Sequence, residues 1–406
     1  MTTSIYIPDH KFAESIVNEY GTPVFVTDVG ILKNRTKLFR DAFGKGSKIF
    51  YALKANYNPN ILRVLKEMGI DGVDAVSPYE IQLAKQVGFS SNQIIFTGNN
   101  SDDAELKVVR DENVLLNIGS LSELERFGVL FPGTDISLRF NPGVGEGECH
   151  QVITGGMKSK FGILYQDIEQ AKEIVNKHNL NIVGVHCHIG SGFYYTEKFQ
   201  EAVHMIIDLA THFKNLKFID IGGGFGVRYK PSESAINLKD FYHSIKNKLN
   251  KFNKKNGKEI DLFVEPGKFL VAESTCLLTR VSNIKRNNDT IFVGTDTGLN
   301  HLIRPSFYAA YHHIVNLSRP KAPLHEVQIV GNICESSDIL GNNIEIAMPE
   351  EGDILAILTA GAYCASMSSL YNFRPYAAEV LVDGDKHKLI RKRLDFNQTL
   401  NGLGFL

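Results

Sequence analysis

The sequence predicts an α/β fold, a (β/α)8 TIM-type barrel followed by an antiparallel all-β domain, and three observations lead there. Eight short apolar, β-branched runs recur through the first two thirds of the chain. Amphipathic stretches with apolar residues at helical spacing separate them. After about residue 268 the rhythm changes, and apolar runs follow one another with little room for helices.

In order, the runs are KIFYALK (48–54), GVDAVS (72–77), IIFTG (94–98), VLLNI (114–118), ISLRFNP (136–142), IVGVHCHIG (182–190), FIDIGGG (218–224) and LFVEPG (262–267). Stretches such as NILRVLKEMG, SPYEIQLAKQVG and KFQEAVHMIIDLATHF lie between them. Near-continuous apolar strands joined by helices imply a parallel sheet covered on its outer side. Eight such units favour closure into a barrel over the competing open, doubly wound sheet. The Lys/Asn-rich SIKNKLNKFNKKNGKEI reads as the solvated face and end of the last barrel helix. Beyond it, LVAESTCLLTRVSNI, TIFVGTD, HHIVNL, EVQIVG, DILAILTA, AEVLV and KLIRKR read as strands of the second domain. The expected division places residues 26–268 in the barrel, and 1–25 with 269–406 in the β-rich domain.

Composition narrows the function classes. The 406 residues suit two or three domains. The 44 Lys and Arg against 45 Asp and Glu leave a net charge of −1, so no long-range positive field gathers nucleic acid or anionic lipid. An acidic ligand must be held by local groups. Cys149, Cys187, Cys276, Cys334 and Cys364 are odd in number and widely spaced, with no CxxC pair, which argues against a disulfide framework and a structural zinc site. The first twenty residues carry Asp9, His10, Lys11 and Glu14 rather than a signal-peptide core, and no segment approaches the ~20 uninterrupted apolar residues of a membrane helix. The expected setting is a reducing cytoplasm, with neither membrane nor nucleic acid as partner.

In a closed barrel the chemistry sits at the carboxyl ends of the strands. The first run ends in Lys54, the fifth contains Arg139, the sixth reads His186-Cys187-His188-Ile189-Gly190-Ser191, the seventh ends in Gly222-Gly223-Gly224-Phe225-Gly226 and the eighth in Glu265. A glycine cluster lets backbone approach an anion closely and present several N–H donors. Its place after the seventh strand suits a phosphate. It is neither a Walker loop nor a GxGxxG turn. A lysine at the same mouth suggests a phosphorylated aldehyde cofactor held as a Schiff base, the alternative being a salt-bridged or snorkelling lysine. His186 and His188 could bind metal, stack on a planar ring or be satisfied core residues. A carboxylate such as Glu265 could pair with a protonated ring nitrogen.

With those residues on view, the chain resembles the fold-type III pyridoxal-phosphate decarboxylases. The likeness runs in order through GTPVFVTD (21–28), YALKAN (51–56), RFNPGV (139–144), TGGMKSKFGI (154–163), GVHCHIGSG (184–192), IDIGGGFG (219–226), EPGK (265–268), LIRPSFYAAYH (302–312), VGNICESSD (330–338) and AGAYCASMSSLYNFRP (360–375). The resemblance implies pyridoxal 5'-phosphate as cofactor, Lys54 as the Schiff-base lysine and His188 as the imidazole stacked on the ring. Ser191 and the loop Gly223, Gly224, Phe225 and Gly226 would hold the phosphate, and Glu265 the pyridine nitrogen. Arg139 would lie near the cofactor hydroxyl, while Tyr363 would close over cofactor and substrate. Lys268, Arg304, Tyr308 and Glu335 would bind substrate. Cys334 would donate a proton, reaching with Glu335 into the other subunit of a homodimer with composite sites.

The activity so implied is decarboxylation of meso-diaminopimelate to L-lysine and CO2, in lysine biosynthesis. Alternatives are a related decarboxylase of ornithine, lysine or another modified amino acid, and a non-catalytic binding homologue. Two departures bear on this. The family's EPGR is EPGK here, and Lys268 cannot give the planar bidentate contact of an arginine. The family's VGPxCES reads Val330-Gly331-Asn332-Ile333-Cys334-Glu335-Ser336, so a proline that would stiffen the loop is missing.

Overall fold

The structure, a computed structural model, describes residues 5–44, 46–145, 147–194, 197–234, 236–257 and 259–404. Its first strand, β1 (Val24–Asp28), belongs to the β-rich unit. The barrel then follows as β2 (Ser47–Ala52), β3 (Gly72–Ala75), β4 (Ile94–Phe96), β5 (Leu115–Ile118) and β6 (Asp135–Asn141). A two-residue β7 (Ile163–Leu164) flanks β6, and β8 (Asn181–His186), β9 (Phe218–Asp220) and β10 (Asp261–Val264) complete the set. Every pairing is parallel, in the order β5-β4-β3-β2-β10-β9-β8-β6, and β5 pairs with β6 to close the ring. The eight apolar runs are these eight strands, so the barrel expectation holds and the open sheet is set aside.

The helices between strands take their registers from local signals. Ser77, Asp102 and Ser120 each cap a helix by accepting from the amide three residues on. The helix Leu238–Asn256 buries Leu238, Phe241, Ile245, Leu249 and Phe252, one face at helical spacing, and stops at Gly257 with φ +67°. Its lysines and asparagines occupy the remaining surface, as expected for a solvated face. One aromatic cluster matters for the site. Phe225, from the glycine loop, packs edge-on against Phe39 at 5.0 Å and Phe43 at 5.6 Å, and lies 5.5 Å from Phe199. The loop is thereby anchored by a ring in the layer of helices.

The second sheet has nine strands: β1, then β11 (Thr275–Asn287), β12 (Thr290–Thr295), β13 (Ile314–Asn316), β14 (Leu324–Val330), β15 (Ile339–Ala347), β16 (Ile354–Ile357), β17 (Ala378–Asp383) and β18 (Lys386–Arg391). Its two faces follow the period-2 alternation of its strands. Val24, Val26, Cys276, Leu278, Ala356 and Val380 meet Ala13, Ile16 and Val17 of the helix His10–Tyr20. Phe25, Leu277, Leu355 and Ile357 face the opposite way, into a cluster with Val293, Leu302, Val327 and Leu340. The sheet is antiparallel in most of its pairings, but β1–β17 and β12–β14 run parallel. A parallel neighbour needs a long crossover, and the one from β12 to β14 carries β13 and the short helix Arg304–Tyr308.

The chain divides into two compact units, Thr36–Val227 with Ala235–Phe269, and Met1–Arg35 with Arg228–Ser234 and Leu270–Leu406. The β-rich unit thus holds residues through Arg35 and a short excursion from the barrel sequence, in place of a break after residue 25. A buried ion group accounts for both. Arg35 Nη1 lies 2.7 Å from Glu273 Oε2, with both side chains sealed from solvent, and the Arg228 amide donates to Glu273 Oε1 at 3.3 Å. Burial pulls the Arg35 guanidinium down to about 10, with Glu273 opposing the shift.

Two stability outcomes are expected. Glu273→Gln strands the buried Arg35 charge, so urea unfolding should show a loss of about 3–5 kcal/mol; a loss under about 1 kcal/mol would remove the ion group from this role. His301, in the β-rich unit, lies between Thr297 Oγ1 at 3.0 Å and the Pro375 carbonyl at 2.9 Å. Burial, aided by Arg393 and Arg391, pulls its imidazole down to about 4 from the 6.5 of an unfolded chain, so the fold holds the neutral ring. That contribution is intact above about pH 6.5 and is lost as pH falls towards 4, by up to roughly 3 kcal/mol. Comparing urea midpoints at pH 7.5 and 5.0, the wild type should lose more stability than His301→Gln.

Candidate active site

The carboxyl ends of the barrel strands gather the residues expected there. Lys54 sits in a single 3-10 turn, Leu53–Ala55, directly after β2. Its Nζ lies 3.9 Å from Asp74 Oδ2 of β3, and the lysine side chain is 41% exposed while the aspartate is sealed. Gly267 presses the end of β10 onto this turn, where an added Cβ would stand 3.0 Å from the Ala55 Cβ and 3.2 Å from that of Ala52.

Glu265 follows β10 and is buried. Its Oε2 accepts from His186 Nε2 at 3.2 Å, its Oε1 is buried, and Asp220 hydrogen-bonds with the same carboxyl group. Burial pushes this carboxyl up, but His186, Lys54 and His188 outweigh that and hold it at about 2. His186 itself is pulled down by burial, with Glu265 opposing the shift. Asp74 and Asp220 complete a group of three sealed acids. Burial first, and the Glu265 charge second, push both well above the carboxylate range. One ionised carboxylate flanked by two acids that favour the neutral form is what a low-dielectric site permits. Among the described residues, His186, Asp220 and Glu265 form the one set of possible metal ligands whose atoms lie within 4.8 Å of one another. His188 is not in that set, so the two histidines do not pair on a common ion there.

His188 lies beyond β8. Its Nδ1 accepts from the Gly223 amide at 3.2 Å, which puts the ring proton on Nε2, and burial with Lys54 and Arg139 nearby pulls its pKa well below the usual value. The glycine loop is dictated by contact. A Cβ on Gly223 would fall 2.2 Å from the Glu265 carbonyl, and one on Gly224, at φ +102°, would fall 2.2 Å from the Phe193 ring. The loop is stitched to Phe193, whose amide donates to Gly224 O and whose carbonyl accepts from Gly226 N, both at 3.0 Å. Among the described residues the amides of Gly224 and Phe225 have no acceptor, and the half-buried Ser191 lies on the adjoining segment. Arg139 of β6 is buried with its guanidinium 4.7 Å from the centre of the Phe161 ring.

Lys268, also buried, is engaged by a residue the sequence reading did not single out. Its Nζ lies 2.5 Å from Glu148 Oε1, and Glu148 comes from the long connection after β6. Asp74 and Asp220 were likewise given no part, and His186 was not assigned as a partner of Glu265. An acid in an otherwise apolar strand, as in GVDAVS and FIDIGGG, is the signal that marks the first two.

The β-rich unit holds the other expected residues. Arg304 is sealed from solvent; its Nη1 donates to His312 Nε2 at 2.9 Å, and its guanidinium stacks over Tyr229 at 4.5 Å. His312 can accept because its Nδ1 donates to the Leu358 carbonyl at 2.9 Å. Tyr308 ends the same short helix, its ring edge-on to Phe307. Cys334 and Glu335 form an exposed tip. The Cys334 amide donates to Asn372 Oδ1 at 2.6 Å. Tyr363 stands at φ +57°, a left-handed conformation unusual for a tyrosine. The missing proline is compensated: the Asn332 amide donates to Thr297 O at 3.0 Å and its Nδ2 to Asp296 O at 2.9 Å. A proline could make neither bond.

Comparison with known proteins agrees with this geometry. Residues 29–272 match the family described as pyridoxal-dependent decarboxylase, pyridoxal binding domain. The chain is 40% identical over 404 residues to a diaminopimelate decarboxylase of Methanothermobacter thermautotrophicus, covering 96% of this chain and 93% of that protein. It is 37% identical to the diaminopimelate decarboxylase of Escherichia coli K12, covering 94% of each. Among solved structures, the Helicobacter pylori diaminopimelate decarboxylase complexed with L-lysine superposes with a TM-score of 0.88 at 34% identity, over 96% of this chain and 99% of that one. The buried acceptor on Glu265, the unengaged amides of the glycine loop and the lysine beside them suit a phosphorylated pyridine aldehyde. The chain belongs to the pyridoxal-dependent decarboxylase family, on its diaminopimelate decarboxylase branch.

Proposed function

We propose that the chain removes CO2 from meso-diaminopimelate to leave L-lysine, a step of lysine biosynthesis, with pyridoxal phosphate as cofactor. The observation that carries the cofactor part is the pairing of an ionised, buried Glu265 with a lysine at the same barrel mouth. A carboxylate in that state keeps a ring nitrogen beside it protonated. Bound pyridoxal phosphate supplies an electron sink for the pair left at Cα when CO2 departs.

Each residue then has a task. Lys54 Nζ would hold the aldehyde end, and Glu265 would take the ring nitrogen. The amides of Gly224 and Phe225, with Gly223, Gly226 and Ser191, would cradle the phosphate, and His188 would lie on the ring face. Arg139 would stand at the ring hydroxyl, and Tyr363 would cover the ligand. Arg304, its guanidinium already fixed by His312 and Tyr229, offers a planar fork to the distal carboxylate, and Tyr308 and Lys268 also bind substrate. Glu335 meets the distal ammonium. Cys334 Sγ delivers the proton that replaces the departed carboxylate at Cα.

We place Cys334 and Glu335 in the other subunit's site, which makes the enzyme a homodimer. The exposure of the tip that carries them supports this. All five cysteines are free thiols, which agrees with a cytoplasmic enzyme. No helix among the described residues is long and apolar enough to cross a membrane.

Cofactor-loaded protein should release CO2 from meso-diaminopimelate and not from ornithine, lysine or arginine, and Lys54→Ala should lower that rate on the order of a thousandfold. Turnover of ornithine with none of diaminopimelate would overturn the substrate assignment. Lys54→Ala and Cys334→Ala, each weak alone, should regain about a quarter of wild-type activity when unfolded together and refolded, because half the dimers are then mixed and each mixed dimer has one intact site. No gain on mixing would count against shared sites.

A further inference from the structure

Lys268 is the residue at which this chain departs from the arginine expected at the end of the eighth barrel strand, and a substitution of that kind carries a physical cost. An arginine fork is rigid and planar, so one guanidinium fixes both oxygens of a carboxylate. A lysine ammonium is a point charge swinging on a four-carbon stem. Left to itself it would lose side-chain entropy on meeting a substrate carboxylate and would define no direction for it.

The structure supplies what the lysine lacks. Glu148 Oε1 lies 2.5 Å from Lys268 Nζ; the lysine side chain is 5% exposed and the glutamate 17%. Glu148 is itself held at two points. Its amide donates to the Ser191 carbonyl at 2.9 Å. Its side chain lies over Gly192, where an added Cβ would come within 2.7 Å of the Glu148 Cβ and 2.8 Å of Oε2, at a backbone φ of +88°. The segment 191–192 is in turn tied to the glycine loop through Gly192 N donating to Gly224 O at 2.9 Å. A chain of contacts therefore runs from the phosphate-side loop through Ser191 and Gly192 to Glu148, and from Glu148 to Lys268. On the other side, Gly267, the residue before Lys268, packs closely against Ala52 and Ala55 of the segment that carries Lys54.

An ammonium has three donors. A glutamate that takes one of them fixes the direction of the nitrogen, so that a substrate carboxylate meets the charge at a defined place, whereas a guanidinium fork needs no such brace. We propose that Glu148 is a positioning residue for substrate recognition: it pins Lys268 Nζ at the barrel mouth so that a lysine can hold the distal carboxylate of a diamino dicarboxylic acid. This rests on the reading above that Lys268 meets that carboxylate.

The test separates the carboxylate from the rest of the ligand. L-lysine, the expected product, retains the distal carboxylate; 1,5-diaminopentane has the same amines and carbon chain without it. Binding of each to cofactor-loaded protein is measured by titration calorimetry for the wild type, Glu148→Gln and the double variant Glu148→Gln/Lys268→Arg. Glu148→Gln should weaken L-lysine about tenfold and change 1,5-diaminopentane by less than about twofold, while KM for meso-diaminopimelate rises and kcat stays within about threefold. The double variant should regain most of the lost L-lysine affinity, because an arginine carries its own geometry. A merely structural glutamate would weaken both ligands alike and would not be rescued at position 268, and either result would overturn the proposal. Tighter L-lysine binding in Glu148→Gln would also overturn it, since Glu148 would then be a competitor of the substrate. Wild-type protein that releases no CO2 from meso-diaminopimelate would sink the functional reading; wild-type turnover with unchanged L-lysine affinity in Glu148→Gln would sink only the positioning role.

Discussion

One hydrogen bond organises the barrel mouth, the one between His186 and Glu265. A carboxylate in a low-dielectric interior is costly unless its oxygens are met. His186 meets one of them, and Asp220 hydrogen-bonds with the same carboxyl group. The charge is thus not lost to protonation. It also sets the state of its neighbours, because a second and third carboxylate so close to it cannot ionise cheaply. Asp74 and Asp220 are pushed towards their neutral forms by burial and by that charge, and neutral acids can donate or hold a proton next to Lys54 and the glycine loop.

The backbone around this bond is arranged to leave space where side chains would normally stand. Gly222 at φ +69° would place a Cβ 2.7 Å from the Cys187 carbonyl, and Gly223 would drive one into the Glu265 carbonyl. Three strand ends therefore converge more closely than any residue with a side chain allows. Glycine is entropically expensive, and a loop of several would wander if nothing fixed it. Phe225 supplies the fixing, since its ring is clamped among Phe39, Phe43, Phe199 and Phe241 on the helical layer. Mobility is removed by an aromatic packed among the helices, and the amides of Gly224 and Phe225 keep no acceptor among the described residues.

What could be read from sequence follows from which interactions leave a local pattern. A buried parallel strand must be apolar on both faces, so all eight barrel strands announced themselves. The rule that barrel chemistry sits at strand carboxyl ends then drew attention to Lys54, Arg139, His188, the glycine loop and Glu265 together. Strand direction in the second sheet leaves no such mark, because the period of two is the same in either sense. The parallel β12–β14 pair was therefore invisible until its crossover was seen. Asp74 and Asp220 were overlooked because each is a single acid within a short apolar run, and Glu148 because it lies in a loop, where no periodicity singles out any residue.

The tip that carries Cys334 and Glu335 shows how a lost stiffening residue is replaced. An exposed tip intended for use must be rigid from beneath, since its own side chains have little to pack against. Asp338 supplies that support from four residues beyond Cys334. One of its carboxylate oxygens accepts from the Leu299 amide at 2.6 Å and the other from the Ile333 amide at 2.8 Å. Gly298 and Gly331 stand so close that a Cβ on either would strike the carboxylate, at 2.6 and 2.2 Å. With Ile333 of the turn and Leu299 of a neighbouring segment bonded to one buried acid, and Asn332 bonded twice to residues 296 and 297, the loop is fixed by hydrogen bonds in place of a proline's restricted φ. The two solutions are not equivalent. A proline restrains the unfolded chain as well as the folded one, whereas these bonds exist only in the fold. The rigidity of the tip therefore depends on Asp338 and the integrity of the β-rich unit, and a change there would be felt at Cys334 before it was felt in the barrel.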